Sequence, residues 1–153
     1  MTIFVGLTGG IATGKSTISK FLTKKGFVVH DSDLVVKKLY LKPNKGLFNI
    51  IKKIGLSYAI KNNKVDKNII REEIFSNRNK KKTLEKFIHN EVRKSRDHFI
   101  TKHKKKKTKI LFFDIPLLFE AKLTHICDYI ILLYAPKKIK IERALKRKGM
   151  NKK

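Results

Sequence analysis

The chain has 153 residues, 41% of them apolar, which suits one domain with a true core and does not fit a disordered chain. Its net charge of +26, from 38 basic and 12 acidic residues, attracts polyanions in general. No apolar run approaches the about 18 residues that span a bilayer, and no basic segment precedes the apolar run of Met1-Thr2-Ile3-Phe4-Val5. A cytoplasmic protein without a membrane anchor or secretory signal is therefore expected. Its one cysteine, Cys127, cannot form an internal disulfide and reads as a small buried apolar residue.

Ile3-Phe4-Val5-Gly6-Leu7-Thr8 is a short apolar run ending in glycines, which predicts a buried strand. Ile18, Phe21 and Leu22 then fall at helical spacing, and Lys24-Lys25-Gly26 supplies a helix end. Phe27-Val28-Val29-His30 is a second strand leading into Asp31-Ser32-Asp33. A helix over 34–41 stops before Pro43.

Residues 45–107 are helix-like, highly charged and poor in strand signals, with Phe75, Leu84, Phe87, Ile88 and Val92 as an apolar stripe. The run His103-Lys104-Lys105-Lys106-Lys107 lacks aromatics for stacking on bases and reads as a solvated helix end, so no specific nucleic-acid partner is expected. Ile110 to Asp114 gives a third strand, Tyr129 to Tyr134 a fourth that can fill the core, and Pro136 opens a last helix.

Short apolar runs separated by helices predict an α/β fold, a parallel sheet flanked by helices in three layers. A single domain over 1–153 is expected, with its core in 1–42 and 108–153. The helical insert of about 45–107 is too long for a simple crossover and is expected to form a lobe over the strand ends, where ligands of such sheets bind.

Gly9-Gly10-Ile11-Ala12-Thr13-Gly14-Lys15-Ser16 matches G-x-x-x-x-G-K-[ST], between a strand and a helix. Glycines let successive N–H groups converge on phosphate oxygens, and the helix that follows points its positive end at them. Lys15 is placed to neutralise the β- and γ-phosphates of a nucleotide, and the Ser16 hydroxyl to ligate Mg²⁺. The pattern identifies a nucleotide-binding protein and leaves GTPase, ATPase and small-molecule kinase open.

Other candidates have two readings each. Asp33 either takes the proton of an acceptor hydroxyl or belongs with Asp31 and Ser32 to a helix cap. Asp114 either orients Mg²⁺ or its waters, or serves as a turn residue before Pro116. Asp66, Lys67 and Arg71 either contact an anionic ligand or form a solvated face. His89, between apolar neighbours, reads as a core or capping histidine. Arg143 and Arg147, one turn apart, either close over the triphosphate or are solvated.

The stretch Val5-Gly6-Leu7-Thr8-Gly9-Gly10-Ile11-Ala12-Thr13-Gly14-Lys15-Ser16-Thr17 resembles the opening of the dephospho-coenzyme A kinases, a family of P-loop kinases. Asp31-Ser32-Asp33 is similar to the family's D-A-D, Asp66-Lys67-Asn68-Ile69-Ile70 with Ile74-Phe75 to its D-R-x-x-L…-F, and Leu84-Glu85 through His89 to Val92 to its L-E-x-x-x-H-P-x-V. Pro116-Leu117-Leu118-Phe119-Glu120 is intact, and the Q-x-x-R-x-x-x-R helix appears as Lys140 to Arg147, with Lys140 where the pattern has Gln.

The resemblance implies phosphorylation of the ribose 3′-hydroxyl of 3′-dephospho-coenzyme A by ATP with Mg²⁺, in a monomer or small homo-oligomer. It implies Asp33 as general base and a coenzyme-binding insert with Asp66, Lys67, Arg71 and His89 on the substrate. ATP falls to Gly10, Ile11, Ala12, Thr13, Gly14, Lys15, Ser16 and Thr17, under a lid region with Arg143 and Arg147.

Three departures stand out: Ser32 for Ala, Asn90 for the proline after His89, and an end at Asn151-Lys152-Lys153 without the family's A-x-x-R-I-x-x-Q segment and final strand. A sheet of four parallel strands with one unpaired edge is expected. Rival readings are a kinase of another nucleoside or nucleotide, a weakly active or inactive relative, and a basic nucleic-acid-binding protein with a vestigial loop.

Overall fold

The computed structural model describes residues 1–146. Arg147 lies outside the described residues. The chain divides into two compact units, one of residues 1–32 and 99 onward, the other of residues 33–98.

The first unit is built on a parallel sheet. Its strands are β1 (Ile3–Gly9), β2 (Val28–Asp31), β5 (Ile110–Asp114) and β6 (Tyr129–Leu133), in the order β2-β5-β1-β6 with every pair parallel. Helices α1 (Lys15–Lys24), α6 (Lys137–Leu145) and the end of α5 (Arg78–Lys105) accompany it. The two middle strands are the most buried, since each has a neighbour on both sides and sheets of this kind are covered on both faces. Leu7, Leu111 and Phe113 are fully buried. Phe113, Ile115 and Leu118 form the core with Phe4, Phe99, Leu123, Ile126 and Cys127 around them. Cys127, expected to be buried, is half-buried at its rim.

Helix α1 ends as its sequence predicts. Gly26 takes φ of 86°, and the N–H groups of Gly26 and Phe27 donate to the carbonyls of Thr23 and Leu22 at 3.0 Å each. These two bonds satisfy carbonyls that the helix leaves open, in a turn where any Cβ would be strained.

One expectation about the core fails. Tyr129 to Leu133 does form a strand, but β6 pairs with β1 alone among the described residues, and Tyr129 and Leu132 are at least 60% exposed. An apolar run specifies a strand without specifying whether it lies at the centre or the edge.

The second unit is mainly helical: the body of α2 (Ser32–Leu41), α3 (Lys45–Lys53), α4 (Lys67–Ser76) and most of α5. The insert, read as helix-like and poor in strand signals, does contain two short strands. β3 (Ile60–Lys61) and β4 (Lys64–Val65) form a small antiparallel hairpin whose turn residues Asn62 and Asn63 both have positive φ. Asn tolerates the left-handed region better than other non-glycine residues, so Asn-Asn makes the reversal at low cost. Leu47, Ile51, Leu56, Ala59, Val65, Ile70 and Leu84 are the buried core. Each fully buried leucine or isoleucine contributes about 1.5–3 kcal/mol.

Side-chain caps set the helix starts. Asn44 Oδ1 accepts from Leu47 N at 2.8 Å, Asp66 Oδ1 from Asn68 N at 2.9 Å, and Asn77 Oδ1 from Lys80 N at 3.0 Å. Asn77 also separates α4 from α5, which breaks the expected apolar stripe. Leu84, Phe87 and Ile88 join the core, whereas Phe75 is 92% exposed.

Candidate active site

The loop between β1 and α1 departs from ordinary backbone geometry at two places. Ala12 has φ of 60° and is buried, and Gly14 has φ of 97°. Gly14 is also the residue before the first turn of α1, where among the described residues no side chain caps the helix. The orphan N–H groups of that turn and the positive end of the helix dipole are therefore offered to an external anion. The loop is closed by its own atoms: Thr13 Oγ1 donates to Gly10 O at 2.9 Å.

Gly9 meets a packing limit, since a Cβ there would lie 2.8 Å from both Leu133 O and Thr13 Oγ1. The motif's first glycine is thus required where the loop crosses the end of β6.

Lys15 and Asp114 form an ion pair. The side chain of Asp114 is 2% exposed and that of Lys15 12%. Asp114 sits in register between Leu7 and Asp31 on the flanking strands. The segment after it is tied to β1, with Ile115 N donating to Leu7 O at 3.0 Å and Thr8 Oγ1 to Pro116 O at 3.1 Å. Arg143 Nη1 donates to Ala12 O at 3.4 Å, bringing an exposed guanidinium of α6 to the same loop. Ile11, Ser16 and Thr17 are exposed there as well.

In the second unit the candidates have other neighbours. Asp33 lies in the first turn of α2, two residues beyond the end of β2, and is exposed. Asp66 uses Oδ1 as the cap of α4, also accepting from Ile69 N at 3.3 Å, and so has a structural task of its own. Lys67 Nζ stands 5.1 Å from the centre of the Tyr40 ring, and Arg71 is exposed on α4. His89 is exposed in the middle of α5, which corrects its reading as a core or capping histidine: Phe87 and Ile88 turn inward, the next position turns out, and neither end of α5 is near it.

Motif reading included Gly9, Thr13 and Phe75 but did not foresee the packing limit at Gly9, the clasp made by Thr13 or the exposure of Phe75. An aromatic at helical spacing is ordinarily assigned to a core. The counter-signal was the Ser76-Asn77 break just after it.

A strand, a glycine-lined turn and an uncapped helix start carrying a lysine, all at the carboxyl end of a parallel sheet, define a P-loop nucleotide-binding protein. The family model of dephospho-CoA kinase matches residues 3–153. A Fusobacterium nucleatum dephospho-CoA kinase is 37% identical over 150 residues, 97% of this chain and 75% of that one. One from Bacillus licheniformis is 33% identical over 99% of this chain and 76% of its own. Among solved structures, a Thermus thermophilus protein has a TM-score of 0.78 at 26% identity, over 98% of this chain and 74% of that one. The Campylobacter jejuni dephospho-CoA kinase gives 0.71 at 28% identity, over 99% and 75%.

The chain belongs to the dephospho-CoA kinase family, whose members transfer phosphate to the hydroxyl of dephospho-CoA. Among the described residues, no helix is long and apolar enough to cross a membrane.

Proposed function

We propose that residues Gly10 to Thr17 hold the polyphosphate of ATP and that Asp33 takes the proton of the ribose 3′-hydroxyl of 3′-dephospho-CoA, giving coenzyme A and ADP. The observation that carries the first half is the uncapped start of α1, with Gly14 at φ of 97° and Lys15 as its first residue. Backbone donors, one ammonium and a helix dipole converge there, and each favours negative charge. Lys15 supports the β- and γ-phosphates. Arg143, already bonded to the loop carbonyl of Ala12, and Arg147 add positive charge as the γ-phosphoryl group transfers.

The donor set also fits Mg²⁺. An exposed Ser16 hydroxyl and the Asp114 carboxylate are hard oxygen ligands, and among the described residues no group of three or more His, Cys, Asp or Glu forms a metal cage. Mg²⁺ takes one or two protein oxygens beside substrate phosphates and waters. Ser16 would hold it, with Asp114 acting through water, and when bound it would neutralise charge on the β- and γ-oxygens.

For the acceptor, the unit of residues 33–98, which overlaps most of the insert of about 45–107, supplies Asp66, Lys67, Arg71 and His89. Lys67 and Arg71 suit the acceptor's diphosphate, for which a guanidinium gives paired hydrogen bonds. The protein works in the cytoplasm as a monomer or small homo-oligomer on a small-molecule substrate, without a specific nucleic acid.

The test is Asp33→Asn, which keeps shape and hydrogen bonding and removes basicity. General-base catalysis contributes about 10²–10⁴-fold. A fall in kcat of that order with ATP affinity retained is expected, and unchanged turnover would remove Asp33 from this role.

A further inference from the structure

Helix α4 has two faces. Ile69, Ile70 and Ile74 pack into the core of their unit, and Glu73 is held by Tyr58 Oη at 2.6 Å and Lys80 Nζ at 2.9 Å. Asn68, Arg71, Glu72 and Phe75 lie at spacings of three, one and three residues on the outer face and line an open concavity of about 470 Å³. Among the described residues no ion pair engages Arg71 or Glu72, and Phe75 is 92% exposed. The side chains that build α4 into the fold are thus distinct from the four that line the concavity.

We infer that this face is the seat of the acceptor's adenosine, with the base stacked on Phe75 and the diphosphate end directed toward Arg71 and Asn68. The inference rests on the reading that residues 33–98 bind the acceptor. Helical side chains lean toward the N-terminus, which directs Phe75 toward the turn that carries Arg71 and Glu72, with which it lines the concavity. A purine on that ring brings its exocyclic amine, a donor, within range of the Glu72 carboxylate, and its sugar and phosphates run toward the guanidinium. From Phe75 to Asn68 the helix rises about 10 Å, a span suited to a nucleotide laid along it. The volume falls in the range of small-molecule sites, about 300–1,000 Å³. An aromatic face paired with a guanidinium is a general solution for binding a base next to a phosphate.

Because Phe75 is exposed, replacing it removes no core packing. Initial rates with 3′-dephospho-CoA varied at saturating ATP, and the converse, are measured for the parent, Phe75→Ala, Phe75→Leu and Phe75→Trp. Losing a base–aromatic stack raises the acceptor KM about tenfold. That rise is expected for Ala and Leu but not for Trp, with the ATP KM and Tm unchanged. An acceptor KM in Phe75→Ala equal to the parent's, or a Leu variant as good as Trp, overturns the stacking role.

Amide hydrogen exchange on adding 3′-dephospho-CoA separates the two levels. Protection in residues 33–98 with an unchanged KM in Phe75→Ala overturns the subsite alone. No protection anywhere in that unit overturns the acceptor lobe and the subsite together.

Discussion

The ammonium of Lys15 donates to the carboxylate of Asp114, and the two side chains are 12% and 2% exposed. Lys15 begins α1 and Asp114 ends β5, so the pair ties the start of the phosphate-binding helix to a central strand. Charges this poorly solvated are costly to leave alone, and each fixes where the other points. With Mg-ATP bound as proposed, the triphosphate would be a second partner for Lys15, and Asp114 would support the metal through water.

Asp114→Asn keeps the shape and removes the charge. It is expected to lower kcat at least tenfold, since it disturbs both Lys15 and the metal's water shell. Steady-state rates over a range of Mg²⁺ concentration check this. An unchanged kcat at every Mg²⁺ level would leave Asp114 as a structural partner of Lys15 only.

Gly9→Ala would put a Cβ 2.8 Å from the carbonyl oxygen of Leu133, which is backbone and cannot swing aside. Overpacking of this kind costs about 1–3 kcal/mol. A drop in Tm of several degrees is expected, together with weaker ATP binding because the loop shifts. For the Tm alone, Gly10→Ala serves as the control, its nearest atom being Thr13 Cγ2 at 3.9 Å, an ordinary contact.

Asp66→Ala removes the cap of α4 and should cost about 1 kcal/mol. Asp66→Asn restores an acceptor oxygen and should return most of the stability. Thermal melts separate the two variants. If Asn restores Tm while the acceptor KM stays raised, the carboxylate also meets substrate. Recovery of both would confine it to capping.

Glu73 is held below the usual carboxylate range, first by the hydrogen bond from Tyr58 and then by the one from Lys80. The unfolded chain therefore binds the proton more readily than the folded one as pH falls through the ordinary glutamate range. The stabilisation is complete above that range and is lost as pH drops through the lowered folded value. Glu73→Gln should flatten this part of the stability–pH curve, read from urea melts between about pH 3 and 6. A parent curve already flat there would contradict the assignment.

The sequence announces the elements that carry local chemistry. Gly26 marks the end of α1, and Gly9 to Ser16 marks the loop, because φ above zero and close approach demand particular residue types. It is silent where the decision is tertiary. Nothing in Tyr129 to Leu133 distinguishes an edge strand from a central one, and the hairpin at Asn62-Asn63 has strands too short for an alternation to register. Phe75 has the same helical spacing whether it faces a core or a ligand. The bond from Arg143 to Ala12 joins residues far apart in sequence and shows no local pattern.

The most direct test of the phosphate seat is calorimetric titration of Mg-ATP into the parent and into a folded Lys15→Met variant. Removing one charge-assisted contact costs about 1.5–3 kcal/mol, so the variant's Kd is predicted to rise about tenfold or more, with coenzyme A formation from 3′-dephospho-CoA lost. A variant that holds Mg-ATP as tightly as the parent would contradict the assignment of Gly10 to Thr17 as the site that grips ATP.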